Sequence, residues 1–327
     1  MKQLLFIGLL CFATSLITGY IFLRISKRIN AGQPILKYVE EHRQKNGTPT
    51  MGGLFFIIPT AIIYIIFVGV KERVGIVALS ICLAFMLVGF LDDFIKIKFK
   101  KNEGLKPYQK IVFQFGIALT SGLFCYFNGI TFFNLPFANF SIDLGIWTIF
   151  VVGIIFIAIT NSVNLTDGMD GLAGSVSIFY LLFIAVIVYI QSSFFVQSYS
   201  NFSEVNTLVK LCVCFVGGIL GFLVYNYNKA SVFMGDTGSL ALGGLLGAIS
   251  IFSGNSFLIP ILGVTFVFSA ISVIIQVLYF KKTKKRVFLM APFHHHLQMK
   301  GLSEGKISFL YSLVTVIIGV MLVISYL

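Results

Sequence analysis

The chain has 327 residues, 57% of them hydrophobic and only 11% charged, with a mean hydropathy of +0.96 and a formal charge of +12. Those values exclude a water-soluble domain and predict an all-α polytopic membrane protein, folded as a single integral-membrane domain over residues 1–327. The excess of lysine and arginine reads as a topology signal, so no nucleic acid is expected as a partner.

Ten apolar runs are predicted to be transmembrane helices: 4–23, 51–70, 74–91, 111–127, 142–160, 172–190, 208–225, 239–252, 257–280 and 307–327. Most come near the roughly 20 residues that cross a bilayer as helix. The first run is followed by its stronger basic cluster, which predicts a retained span rather than a cleaved leader. Segments 24–50, 92–110 and 281–306, with Lys229, hold 20 of the 24 basic residues on one side of the predicted bundle. The positive-inside rule makes that side cytoplasmic and leaves both termini outside. The expected location is a cell membrane crossed many times, with the lipid bilayer itself as one partner.

Five of the six aspartates fall in three short polar strips on that same side. The first is Asp92-Asp93, at the end of the third run. Acidic residues are disfavoured at a helix C-terminus, so this pair is expected to face a positive group; Lys96 lies four residues on. The second strip, between the fifth and sixth runs, puts Asn161, Asn164, Asp167 and Asp170 within ten residues. Gly168 and Gly171 there let the backbone turn or approach a ligand closely. The third holds Asn226, Phe233 and Asp236, just before the short run 239–252, which is expected to borrow residues 236–238. Asp170 and Asp236 also read as helix N-caps. Phe233 reads as an interfacial anchor or as a surface on which a planar base stacks.

Beyond a basic stretch, Lys281 to Arg286, which reads as a membrane-surface anchor, comes Pro292-Phe293-His294-His295-His296. One or two of these histidines can donate hydrogen bonds to phosphate oxygens. The five cysteines lie inside apolar runs and read as packing residues, with neither disulfides nor zinc expected.

Carboxylates at this depth are costly without a partner, and three such strips on one face point to one cation site. Hard oxygen ligands favour Mg²⁺ or Mn²⁺ over zinc. A divalent cation with lysine and histidine suits phosphoryl transfer, where charge neutralisation and positioning do most of the work. No P-loop occurs, so ATP hydrolysis is not indicated. A cation transporter is the rival from another class, but it predicts acids deep in the spans and on both faces. Asp236-Thr237-Gly238-Ser239 resembles an aspartic-protease D-T-G-S, yet no second D-T-G exists to share the proton.

Read together, Lys45-Asn46-Gly47-Thr48-Pro49-Thr50-Met51-Gly52-Gly53, Asp92-Asp93, Asn164-Leu165-Thr166-Asp167-Gly168-Met169-Asp170-Gly171, Phe233-Met234-Gly235-Asp236-Thr237-Gly238-Ser239 and the histidine triplet resemble the phospho-N-acetylmuramoyl-pentapeptide transferases. These belong to the polyprenyl-phosphate N-acetylhexosamine-1-phosphate transferase superfamily. The resemblance runs the length of the chain, and a GlcNAc-1-phosphate transferase is the nearest alternative. It implies transfer of phospho-N-acetylmuramoyl-pentapeptide from UDP to undecaprenyl phosphate, giving lipid I and UMP, with Mg²⁺ as cofactor and a homodimer as the assembly. It further implies catalytic roles for Asp92, Asp93, Asp236 and His294, and metal ligation by Asp236 with Asn164 or Asp167. Substrate contacts are implied for Lys45, Thr50, Lys96, Lys110, Asn164, Asp167, Gly168 and His295. Phe233 is expected on uracil, with Asn226 and Asp170 reading the nucleoside. Gln298, Leu302 and Lys229 depart from residues common in the family.

Overall fold

The computed structural model describes residues 2–28, 47–69, 73–99, 104–137, 140–194 and 202–327. In chain order the helices are α1 (Lys2–Arg28), α2 (Gly53–Val68), α3 (Arg73–Phe99), α4 (Pro107–Phe127), α5 (Thr148–Thr166), α6 (Leu172–Phe194), α7 (Phe202–Asn226), α8 (Gly235–Phe252), α9 (Leu258–Leu262), α10 (Val264–Thr283), α11 (Phe293–Met299) and α12 (Glu304–Tyr326). Within hydrocarbon a helix satisfies every backbone N–H and C=O inside one segment, which is why the long apolar runs all take this form.

Nine helices among the described residues are long and apolar enough to cross a membrane. The remaining predicted run, 51–70, forms α2, whose 16 residues span about 24 Å, short of the ~30 Å hydrocarbon core. Leu9, Ile66, Ile154, Val224 and Ile317 are among many large apolar side chains on the outside of the bundle. Such a surface suits lipid and not water.

At one end of the bundle, between α4 and α5, strands β1 (Phe132–Asn134) and β2 (Ser141–Asp143) pair antiparallel as a small hairpin. The Asn134 amide donates to Gly254 O at 3.0 Å, pinning the hairpin to the turn that follows α8. The run 257–280 is broken at Gly263, between α9 and α10.

The axis of the bundle is α8, in which every residue from Thr237 to Phe252 is buried. It packs on α3, α5 and α2. Small residues let backbones approach closely where lipid supplies no hydrophobic drive. At Gly89 of α3 the fit is tightest, because a Cβ there would run into the carbonyl of Asp236. One expectation is corrected here. Asp92-Asp93 does not close a helix, since α3 continues two turns further, to Phe99.

Candidate active site

Four helix termini meet at the other end of the bundle: the last turns of α3 and α5 and the first turns of α4 and α8. Asp236 stands at the centre, in the first turn of α8. Asn164 Nδ2 donates to its Oδ1 at 2.7 Å and to Ser239 Oγ at 2.8 Å. Its Oδ2 receives Lys96 Nζ at 3.1 Å and Lys110 Nζ at 2.9 Å. Residues 72, 126 and 140 positions away in sequence thus fix both oxygens of one carboxylate.

Asp92 and Asp93 lie on either side of this centre, both buried. Asp92 pairs with Lys96 at 2.6 Å and accepts the Leu105 amide at 2.9 Å. Asp93 takes a different part. Its Oδ2 accepts the Thr237 amide at 2.9 Å and the Thr237 hydroxyl at 2.7 Å, and its Oδ1 faces the Asp236 amide at 3.3 Å. It therefore satisfies the free N–H groups of α8 from a neighbouring helix, where a negative charge is also favoured by the dipole. The expectation that Asp236 itself caps α8 is corrected: the capping acceptor is Asp93.

One oxygen from each of Asp92, Asp93 and Asp236 lies within 4.8 Å of the others. These are hard oxygen donors, and such a set fits a hard divalent cation. The ammonium of Lys96, 2.6, 3.9 and 3.1 Å from the three carboxylates, occupies the field that would attract one. Asn164 reaches this group through Asp236. Asp167 is outside it. Burial pushes the Asp167 carboxyl well above the usual carboxylate range, and the charges of Asp236, Asp93 and Asp170 add to the shift.

The α5–α6 turn is fastened by residues that were expected on the nucleoside. Asn226 Oδ1 accepts the Gly171 amide at 2.8 Å, and its Nδ2 donates to Val232 O at 2.9 Å. Asp170 Oδ2 accepts the Ala230 amide at 2.8 Å, and its own amide donates to Glu304 Oε2 at 3.0 Å. Asp170 thus fastens the 228–231 turn. Both ends of the Asn226 amide are committed to the scaffold.

Residues 49–53 lie alongside 233–234: Phe233 N donates to Pro49 O at 2.8 Å, and Gly52 N to Phe233 O at 2.9 Å. The backbone of Phe233 is thereby fixed, while its ring is half-buried. Thr50 is buried with its hydroxyl unpartnered among the described residues, next to the Asp93 carboxylate at Gly235. Lys45 lies outside the described residues.

The triplet begins α11. His294 and His295 both bring Nε2 to the position a Gly168 Cβ would occupy, at 2.5 and 3.1 Å. His296 instead accepts the Leu289 amide at 3.1 Å and packs on Phe288 and Phe293. Burial pushes the His294 imidazole down to about 3, with His295 adding to the shift. His294 is thereby neutral and can donate a single N–H. Neither of its ring nitrogens has a partner among the described residues.

Sequence reasoning passed over Thr237, Ser239, Leu105 and Glu304. The first two sit inside the Asp236 strip, where their hydroxyls were a usable signal. Leu105 acts only through its backbone, and nothing local distinguishes Glu304.

Residues 74–254 match the family model described as glycosyl transferase family 4, and residues 45–57 match a phospho-N-acetylmuramoyl-pentapeptide-transferase signature. Curated relatives carry that same name. One from Clostridioides difficile (strain 630) is 39% identical over 97% of this chain and 96% of its own length. One from Clostridium botulinum (strain Alaska E43 / Type E3) is 40% identical over 95% and 92%, and one from Caldanaerobacter subterraneus subsp. tengcongensis is 38% identical over 97% and 96%.

Proposed function

Because the chain belongs to the phospho-N-acetylmuramoyl-pentapeptide-transferase family, we propose that it moves phospho-N-acetylmuramoyl-pentapeptide from UDP onto undecaprenyl phosphate. The products are lipid I, for peptidoglycan synthesis, and UMP. The protein is a multi-pass transferase of the bacterial cytoplasmic membrane. A homodimer is proposed on the family resemblance alone. The observation that carries the reading is the Asp236 carboxylate, shared by Asn164, Lys96 and Lys110 beside Asp92 and Asp93.

The chemistry joins an oxygen of the lipid phosphate to the sugar-proximal phosphorus of the donor and breaks that phosphorus's bond to UMP. Charge gathers on two phosphates, so positive groups must be brought close to both. Lys96 and Lys110, held in place by carboxylates, meet that need for the acceptor. A phosphate monoester with a second pKa of about 6 is mostly dianionic at neutral pH. Asp92 therefore mainly positions the acceptor through Lys96 and takes the proton of the remaining monoanion. Asp93 holds the first turn of α8 so that Asp236 keeps its orientation. The neutral His294 and its neighbour His295 offer ring N–H groups to the donor at Gly168, and the Phe233 ring is the proposed face for uracil. With both polar ends bound to the scaffold, Asn226 shapes the nucleoside pocket rather than reading the base.

We place Mg²⁺ with Asp236 and Asp92, and Asp93 beside them. When bound it neutralises pyrophosphate charge and eases departure of UMP.

Purified protein in nanodiscs with undecaprenyl phosphate tests the donor. UMP release from UDP-N-acetylmuramoyl-pentapeptide and not from UDP-N-acetylglucosamine is expected. Release from the latter alone would move the chain to the other branch of the superfamily.

A further inference from the structure

Three successive backbone groups of the α5–α6 turn are bonded to side chains from distant helices. The Asp170 amide donates to Glu304 Oε2 at 3.0 Å, the Asp170 carbonyl accepts from Ser308 Oγ at 3.2 Å, and the Gly171 amide donates to Asn226 Oδ1 at 2.8 Å. Glu304 and Ser308 stand one turn apart on α12, so a single helix face takes both the N–H and the C=O of residue 170. Gly171 has a φ of +74°, where a side chain would be strained. Neither α5 nor α6 extends through residues 167–171. The position of the turn is therefore held from outside, by α7 and α12.

The segment that carries Glu304 also carries the histidines. Residues 300–303 join α11 to α12 and are tied back to α11: Lys300 N donates to His296 O at 3.2 Å, Gly301 N to Gln298 O at 2.8 Å and Leu302 N to Leu297 O at 3.2 Å. α11 sets His294 and His295 against Gly168, and α12 sets Glu304 against Asp170, two residues along. The α11–α12 segment thus holds the turn at two points. At Gly168 the fit is close, since a Cβ there would stand 2.5 Å from His294 Nε2. The gap between the ring nitrogens and the turn depends on where the turn sits. The dipole of α12 favours an acid in its first turn, but that alone does not call for a bond to an amide 134 residues away.

We infer that Glu304 is a positioning residue for the UDP-linked donor: through the Asp170 amide it fixes how far Gly168 stands from His294 and His295. The inference rests on the function proposed above. Its effect falls on the donor, because the turn and the histidines form the donor side, whereas Lys96 and Lys110, on the acceptor side, are held separately by Asp92 and Asp236. A misplacement of about 1 Å far from the chemistry can cost on the order of 100-fold. Ser308 and Asn226 still hold the turn when Glu304 is replaced, so a smaller loss is expected.

Two measurements test it. In the first, UMP release in nanodiscs is followed with each substrate varied in turn. Glu304→Met keeps the length of the side chain and removes the acceptor. It is expected to raise the KM for UDP-N-acetylmuramoyl-pentapeptide about tenfold and to leave that for undecaprenyl phosphate within about twofold. Glu304→Gln keeps an acceptor oxygen and loses only the charge, so it should return the donor KM to within about twofold of wild type. A role confined to the helix dipole or to folding would lower the melting temperature, or kcat through the active fraction, and move neither KM. In the second, the donor is titrated calorimetrically onto Ser308→Ala without acceptor, so the clamp is tested even where Glu304→Met does not fold. A Kd weakened about threefold is expected, in the direction of lost ground-state binding. An unchanged donor KM in folded Glu304→Met, equal rises in both KM values, a Gln variant no better than the Met one, or wild-type donor affinity in Ser308→Ala would overturn the assignment. Wild-type protein that releases UMP from no UDP-sugar would instead reject the proposed function, and this inference with it.

Discussion

Asp93 of α3 accepts both the amide and the hydroxyl of Thr237, at 2.9 and 2.7 Å, and so caps α8 from another helix. A buried donor left without an acceptor costs about 1–3 kcal/mol. Asp93→Ala strands at least two and is expected to lower the melting temperature in detergent by several degrees, with activity falling in parallel. Thr237→Val removes one donor and should cost about half as much. Wild-type melting of Asp93→Ala would contradict the capping role.

Lys96 stands within 4 Å of three carboxylates. Replacing it by methionine leaves their repulsion uncompensated, so a divalent cation has more to stabilise. Lys96→Met should melt below wild type without metal and gain more from millimolar Mg²⁺. Scanning calorimetry reads both, independently of turnover. An identical Mg²⁺ response in the two proteins would remove the metal from this cluster.

Gly89 and Gly116 separate close packing from helix propensity. A Cβ at Gly89 collides with the Asp236 carbonyl, while one at Gly116 meets nothing within 4 Å. Overpacking against backbone costs about 1–3 kcal/mol or more. Gly89→Ala is therefore expected to unfold earlier and lose UMP release, whereas Gly116→Ala should be neutral or slightly stabilised. Equal behaviour of the two in thermal melts would refute the α3–α8 contact.

His294 gives the pH dependence a definite sign. Its imidazole titrates near 6.5 in the unfolded chain and at about 3 in the folded one. Between those values the unfolded state holds the extra proton, so stability falls as pH drops below 6.5 and is flat above it. At pH 5.5 the loss is roughly 1.4 kcal/mol. His294→Phe should remove that slope from melting curves recorded between pH 7.5 and 5. A slope unchanged by the substitution would place the titration elsewhere.

The helices and their one-sided acids were legible because hydropathy and charge are local properties. Asp92, Asp93, Asn164 and Asp236 were found from composition against an apolar background. Their division of labour was not legible. Whether Asp93 caps α8 depends on α3 passing within touching distance of Gly235, which no spacing in the chain encodes. Asn226 and Asp170 looked like ligand readers because amides and carboxylates suit both a base edge and a backbone turn. The scaffold use shows only in the positions of Gly171, Val232 and Ala230. The neutral state of His294 likewise follows from its burial near Tyr311 and Gly168, parts of the chain more than 15 residues away.

UMP release by Asp236→Asn in nanodiscs, with UDP-N-acetylmuramoyl-pentapeptide, undecaprenyl phosphate and Mg²⁺, tests the central claim most directly. Asparagine keeps the shape and loses the charge that Lys96 and Lys110 share. Turnover is expected to fall at least ~100-fold, the order of loss seen when one preorganised electrostatic group is removed from an active site. Retention of near wild-type turnover by a folded Asp236→Asn protein would contradict the account.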